Sequence, residues 1–329
     1  MIITETPLRI SLAGGGTDLP DYYMRRDGYV VSTAIDKYVY VIAKERFDDK
    51  IYLTYGHSKE IVDEVGAIQH ELVREAMRKA GIERGIEVSM QADIPSEGSG
   101  LGSSSSVTVG LLNAFYQFQG VQVMAEQLAR EACEIEIDIC KKPIGKQDQY
   151  IAAYGGLRGL HFHGTGVGVE RLPIAEATTR RLSERLLLFY TNTTRSSSNI
   201  LTEQRARILE TDVALKDIGD MAAEVRAALA AGRLDEIGAL LDRNWQRKKT
   251  LASGVSNRAI DDMYARARGA GALGGKVAGA GGGGFLLVYC PLERQADVRA
   301  ALADSRELPF TFDRMGSRVI FNHRRDPWK

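Results

Sequence analysis

Apolar runs, some alternating with polar residues and some continuous, divide the first half of the chain into short strands and amphipathic helices. LRISLA (8–13), YVVSTAI (29–35), YVYVIAKE (38–45), KIYLTY (50–55) and GIEVSMQADI (85–94) predict strands, and AIQHELVREAMRKAG (67–81) predicts a helix. Two more helices are predicted, one from Ser104 to about Gln119 and one through MAEQLAREACEIEIDICKK (124–142), where Leu128, Ala132, Ile135 and Ile139 recur at helical spacing. GGLRGLHFHG (155–164) and GVGVERLPI (166–174) predict a hairpin, and RLLLFYT (185–191) a buried strand. From Ser196 to about Leu251 helix formers dominate, in two or three amphipathic helices. FLLVYC (285–290) then predicts a strand, ERQADVRAALADS (293–305) a helix, and PFTF (309–312) with RVIFN (318–322) a closing pair. The change of pattern near Leu186 divides the chain into two domains, 1–185 and 186–329, which suits its 329 residues.

Charge narrows the choice of partners. Lysine plus arginine, 43, equals aspartate plus glutamate, 43. No global field therefore favours nucleic acid or an acidic membrane, and any anion must be bound locally. The three cysteines, Cys133, Cys140 and Cys290, form no CxxC pair and fit a reducing, cytoplasmic setting. The amino terminus lacks a basic region followed by an apolar stretch, and no apolar run approaches the ~20 residues needed to span a bilayer.

Chemistry concentrates in three glycine-rich stretches, AGGGTD (13–18), EGSGLGSSSS (97–106) and GAGGGG (279–284). Clustered glycines mark positive φ or a ligand pressed against the main chain. The second follows a predicted strand and opens a predicted helix, whose first-turn amides have no internal partners and, with the helix dipole, make a site for phosphate oxygens. Its serines add hydroxyl donors and a magnesium ligand. The same stretch also reads as a plain loop ending in a serine N-cap. Two familiar nucleotide motifs are absent. Lys276 has Ala270 where a Walker loop needs its first glycine and Val277 where it needs a hydroxyl. Gly279, Gly281 and Gly284 spell GxGxxG, but a strand follows them where a dinucleotide fold has a helix.

TPLRISLAGGGTDLP (6–20), PSEGSGLGSSSS (95–106) and GGKVAGAGGGGF (274–285) together resemble the three ordered motifs of the GHMP kinases. STAIDKYVYV, EACEIEIDI, PIGKQDQYIAAYGG and LLLFYT further resemble the branch acting on D-glycero-D-manno-heptose 7-phosphate. The resemblance implies an α+β, two-domain fold, with a ribosomal-S5-domain-2-like amino-terminal domain and a ferredoxin-like carboxy-terminal one. It implies transfer of the γ-phosphoryl group of ATP, with Mg²⁺, to the anomeric hydroxyl of that sugar phosphate. Gly98, Gly100, Leu101, Gly102, Ser103, Ser104 and Ser105 would bind ATP, and Ser104 would ligate the metal with Glu136, Glu134 standing in reserve. Asp148 would be the catalytic base with Arg9 beside it. Gly14, Gly15, Gly16, Thr17 and Asp18 would hold the sugar, and Gly281 and Gly282 would close over it.

A sugar phosphate also needs an anion site, for which Arg195, Lys248 and Lys146 are candidates. On their own, Lys248 and its neighbours in RNWQRKK read as a solvated helix face, Glu136 as a solvated helix charge, and Thr17 and Asp18 as helix caps. His161 and His163 alternate on one strand with no third ligand spaced for zinc, so no metal is assigned to them. Another anomeric sugar kinase, fucokinase-like or acting on a hexosamine, or a sensor that binds sugar and ATP without turnover, also fits the motifs. Homodimers are compatible with all of these readings.

Overall fold

The computed structural model describes residues 1–95, 98–193 and 197–323. Strands β1 (Ile2–Ala13), β2 (Gly28–Glu45), β3 (Ile51–Tyr55), β4 (Ser58–Val62), β5 (Ile86–Ala92), β6 (Leu157–His163) and β7 (Gly166–Arg171) build the first sheet. Strands β8 (Leu186–Tyr190), β9 (Gly274–Val277) and β10 (Phe285–Tyr289) build the second, and β11 (Arg318–Asn322) returns to the first. The first sheet runs β11-β1-β2-β5-β3-β4, with β6 and β7 continuing from the far end of β2. Among the described residues only β3 and β5 pair in parallel, joined by a crossover that contains the helix Glu71–Ala80.

The two runs read as separate strands in YVVSTAI and YVYVIAKE are one long strand, β2. The polar Asp36–Lys37 break between them survives as a register shift, where Pro7 pairs with Tyr38 and Leu8 with Ile35. Pro7 has no N–H to extend the ladder, so the irregularity falls where a bond is missing in any case. The expected closing pair does not form. Arg318–Asn322 lies antiparallel on the free edge of β1, and Phe312 makes a bridge to Ile35 of β2.

The second sheet, β8-β10-β9, is antiparallel. Its runs are continuously apolar because both faces are covered. Leu186 and Leu188 of β8 and Phe285, Leu287 and Tyr289 of β10 join the large core that also holds Leu8, Val30 and Phe115. Leu187 and Phe189 of β8 and Leu286 and Val288 of β10 face a second core built around Trp245, Met263 and Val298. The helix Asp212–Ala230 lays Leu215, Ile218, Ala222 and Val225 into the first core, so the second half of the chain covers part of the first sheet. The architecture is the mixed helix-and-sheet arrangement expected.

Candidate active site

The second glycine-rich stretch ends in the helix Ser103–Gln119, whose N-cap is Gly102 at φ +81°. No serine caps it, contrary to the plain-loop reading, because the serines lie inside the first turn. The first helical bond runs from Ser106 N to Gly102 O at 3.0 Å, which leaves the amides of Ser103, Ser104 and Ser105 ahead of the ladder. Ser106 turns its hydroxyl away, to the Pro7 carbonyl at 2.8 Å.

A cleft of about 1540 Å³ opens in front of this turn. Arg9, on β1, donates to Asp148 in a bidentate pair, Nε to Oδ1 and Nη2 to Oδ2, each 2.7 Å. Its Nη1 donates to Gly100 O at 2.6 Å, so one guanidinium ties the aspartate to the glycine turn. A Cβ on Gly102 would stand 3.1 Å from Arg9 Cγ and 3.5 Å from Asp148 Cγ, so the bare turn lets the pair lie directly against the helix end. Asp18 is buried and accepts from Gly16 N at 2.9 Å and Gln147 N at 3.2 Å. Burial, then the nearby Asp148, push its carboxyl above the ordinary range.

Glu136 sits behind the turn, fully buried. It accepts from Ser104 Oγ at 2.6 Å, Ser105 Oγ at 2.7 Å and Gln149 Nε2 at 2.7 Å. Burial raises its pKa, opposed by Lys142 and by these hydrogen bonds. The predicted long helix breaks here into α-helix Ala125–Cys133 and a π-helical turn Glu134–Ile139. The wider turn leaves Ile135 buried but carries Ile139, expected on the apolar face, out to solvent. Glu134 points elsewhere, pairing with Lys79 at 2.6 Å. Glu136 is thus the glutamate that faces Ser104.

The donor set suits a hard divalent cation. A carboxylate has about four lone-pair positions, more than the three donors it accepts here, and Ser104 adds a hydroxyl oxygen. Lys142 already brings its ammonium 3.2 Å from Ser104 Oγ and 3.9 Å from Glu136, so the pair attracts positive charge. Among the described residues, no group of three or more His, Cys, Asp or Glu is placed to hold a metal.

Gly15, Gly16, Asp18, Gly98, Gly100, Gly102, Ser103, Ser104, Ser105, Lys248 and Gly281 line the same cleft as Arg9 and Asp148. Others do not reach it. Thr17, expected to contact the sugar, is buried and commits its hydroxyl to Gly14 O at 2.8 Å and Tyr29 O at 3.2 Å. Gly14 is bare because a Cβ would meet Tyr29 O at 2.0 Å. Leu101 is buried, and its carbonyl accepts Arg9 N at 2.9 Å. The Gly282 amide is held by Val255 O at 2.8 Å.

The third glycine run packs on the second rather than only over the cleft. A Cβ on Gly100 would meet Ala278 O at 2.6 Å, and one on Gly284 would meet Gly98 O at 2.5 Å. Lys248 is buried, not on a solvated face, and donates to Val277 O at 3.1 Å and to Gly279 O. Burial, then Lys276 and Arg9, hold its pKa well below the usual lysine range. A buried amine already engaged with two carbonyls is poorly suited to grip a phosphate. Lys146 places its ammonium over the Tyr23 ring at 5.0 Å, and Arg195 lies outside the described residues. The cation that sequence reasoning passed over is Lys276, buried on β9 and lining the cleft. Burial, then Arg9, push its ammonium down to about 7. In the sequence its only mark was a failed Walker match.

The chain matches the GHMP kinases N terminal domain over residues 67–156 and the GHMP kinases C terminal domain over residues 225–306. A D-glycero-alpha-D-manno-heptose 7-phosphate kinase of Campylobacter jejuni is 31% identical over 319 residues, covering 92% of this chain and 93% of that protein. The L-fucokinase/L-fucose-1-P guanylyltransferase of Bacteroides fragilis is 28% identical over 90% of this chain and 35% of its own length. The solved D-glycero-D-manno-heptose 1-phosphate kinase of Bacteroides thetaiotaomicron superposes with a TM-score of 0.83 at 24% identity, over 98% of this chain and all of that one, and shows the same fold.

Proposed function

Because this chain belongs to the GHMP kinases, phosphotransferases with an alcohol group as acceptor, we propose that it transfers the γ-phosphoryl group of ATP to the anomeric hydroxyl of D-glycero-D-manno-heptose 7-phosphate. The product would be the 1,7-bisphosphate, a precursor for nucleotide-activated heptose. The observation that carries the chemistry is the Arg9–Asp148 pair, held at the lip of a helix N-terminus with unpaired first-turn amides. The choice of a heptose 7-phosphate rests on the 31% identity to the Campylobacter jejuni enzyme.

The amides of Ser103–Ser105 receive the nucleotide's phosphate oxygens, where the helix dipole favours negative charge. Ser104 and Glu136 would hold Mg²⁺, which supplies neutralising charge to the phosphates when bound. Asp148 accepts the proton of the attacking hydroxyl and aligns it, which is most of what phosphoryl transfer asks of a protein. Arg9 holds both carboxylate oxygens, fixing the base to the turn that bears the phosphates. Asp18 grips a sugar hydroxyl, and Lys276 supplies a second positive charge beside Arg9. The three cysteines are free, which suits the cytoplasmic setting of the proposal. Among the described residues, no helix is long and apolar enough to cross a membrane.

The test is ADP release with Mg·ATP against heptose 7-phosphate, the free heptose, L-fucose, D-galactose and N-acetylhexosamines, with ³¹P NMR of the product. The proposal expects preference for the heptose 7-phosphate and a new anomeric phosphate resonance. A preference for an unphosphorylated sugar contradicts it.

A further inference from the structure

Four residues that line the cleft each carry a buried polar side-chain atom with no hydrogen-bond partner among the described residues: Ser11 Oγ, Gln147 Oε1, Gln204 Nε2 and Asn244 Nδ2. Native interiors pair the large majority of such groups, so several orphans on residues that line one cavity mark partners that arrive with a ligand. Their origins differ. Ser11 lies two residues beyond Arg9 and so on the same side of β1. Gln147 precedes Asp148 at the start of the helix Gln147–Tyr154. Gln204 comes from the helix Ser197–Ala206 and Asn244 from the helix Leu234–Lys248, one turn before Lys248.

The side chains of three of these four residues gather around bare main chain. A Cβ on Gly15 would stand 3.6 Å from Gln147 Nε2 and 3.8 Å from Ser11 Oγ, and one on Gly16 would stand 2.6 Å from Gln204 Nε2. Gly16 donates its amide to Asp18, so the cluster adjoins the buried carboxylate. Ser11 and Gln147 are also near neighbours in the chain of Arg9 and Asp148, the pair against which Gly102 lies. The groups are neutral. Hydroxyls and carboxamides both donate and accept, which matches sugar hydroxyls and matches phosphate poorly.

We propose that Ser11, Gln147 and Gln204, set around the bare Gly15–Gly16 turn, determine acceptor specificity by reading a run of hydroxyl groups on the sugar. Gln204 would then be a contact from the second half of the chain that completes the subsite. The inference rests on the sugar-kinase reading above but not on which sugar is used.

The test compares wild type with Ser11→Ala, Gln147→Met and Gln204→Leu, using the acceptor from the panel that wild type turns over fastest and its single-deoxy analogues. Each variant is expected to raise the acceptor KM about 5- to 100-fold, the range set by one unmade buried hydrogen bond, with the KM for ATP within about twofold of wild type. For each variant one deoxy analogue should cost no more than the parent sugar does, because the contact it would lose is already gone. Gln204→Leu should melt no lower than wild type, since it removes an orphaned group. Acceptor KM values unchanged in all three variants, or deoxy penalties fully additive with every substitution, would overturn the inference. A hexose preferred over heptose phosphates contradicts the substrate proposal alone, and the variants still decide this one. Turnover of no sugar at all overturns both.

Discussion

Replacing Asp148 by asparagine keeps the shape of the side chain and removes its charge and its basicity. In the structure, both carboxylate oxygens accept from Arg9 at 2.7 Å. An amide can accept only one of those bonds, and its NH₂ would face a guanidinium N–H, so one charge-assisted hydrogen bond is lost. That costs about 1.5–3 kcal/mol of stability. The buried Arg9 keeps Gly100 O as an acceptor, which limits the damage to the turn. Catalysis should fall much further, because the attacking hydroxyl loses both its proton acceptor and its alignment, worth about 10²- to 10⁴-fold. The proposed phosphate cradle is made of the Ser103–Ser105 amides, Ser104 and Glu136, whereas the carboxylate of Asp148 is hydrogen-bonded to Arg9. The dissociation constant for Mg·ATP should therefore change by less than about threefold. Steady-state ADP release gives kcat, and equilibrium titration with a fluorescent ATP analogue gives nucleotide affinity. A variant with kcat within about threefold of wild type would refute the role of Asp148, and parallel loss of nucleotide affinity would refute the separation of base from cradle.

Three further substitutions test other parts of the site. Glu136→Gln removes charge from the oxygens that face Ser104, and should raise the Mg²⁺ concentration needed for half-maximal turnover about 10- to 100-fold, read by magnesium titration at saturating ATP. Lys276 has a native pKa near 7 against 10.5 for the ordinary side chain. The unfolded chain therefore binds more protons between those values, and this group's contribution to stability rises with pH across that window, the full burial penalty being present below about pH 7. Lys276→Met should accordingly raise the melting temperature more at pH 7 than at pH 9, and an equal shift at both would contradict the burial argument. Gly100→Ala places a Cβ 2.6 Å from Ala278 O at φ +72° and should cost about 1–3 kcal/mol and raise the KM for ATP at least about tenfold. Gly232→Ala, at φ +69° with open space around it, should cost about 1 kcal/mol and leave the KM unchanged, as chemical denaturation and ATP titration would show.

What the sequence reveals is what periodicity and local chemistry encode. FLLVYC announces a strand covered on both faces, and the serine turn announces a helix N-terminus, because each signal lies within a few neighbouring residues. The π-helical turn leaves no such mark. One wide turn in Glu134–Ile139 changes which side chains face inward without altering the hydropathy pattern, and Ile139 ends on the surface. The packing of Gly100 on Ala278 joins stretches far apart in the chain, so nothing in the third glycine run itself marks the second as its partner. Lys248 looked solvated because a cluster of lysines and arginines usually is, and the surrounding core overrode that tendency. Lys276, Gln204 and Ser11 come to line one cleft only because β9, the helix Ser197–Ala206 and β1 meet there.

The most direct measurement is a crystal structure with Mg²⁺ and a non-hydrolysable ATP analogue. The account predicts phosphate oxygens on the amides of Ser103, Ser104 and Ser105, the metal between Ser104 and Glu136, and the terminal phosphate facing Asp148. A nucleotide bound with its phosphates away from this helix end would contradict it.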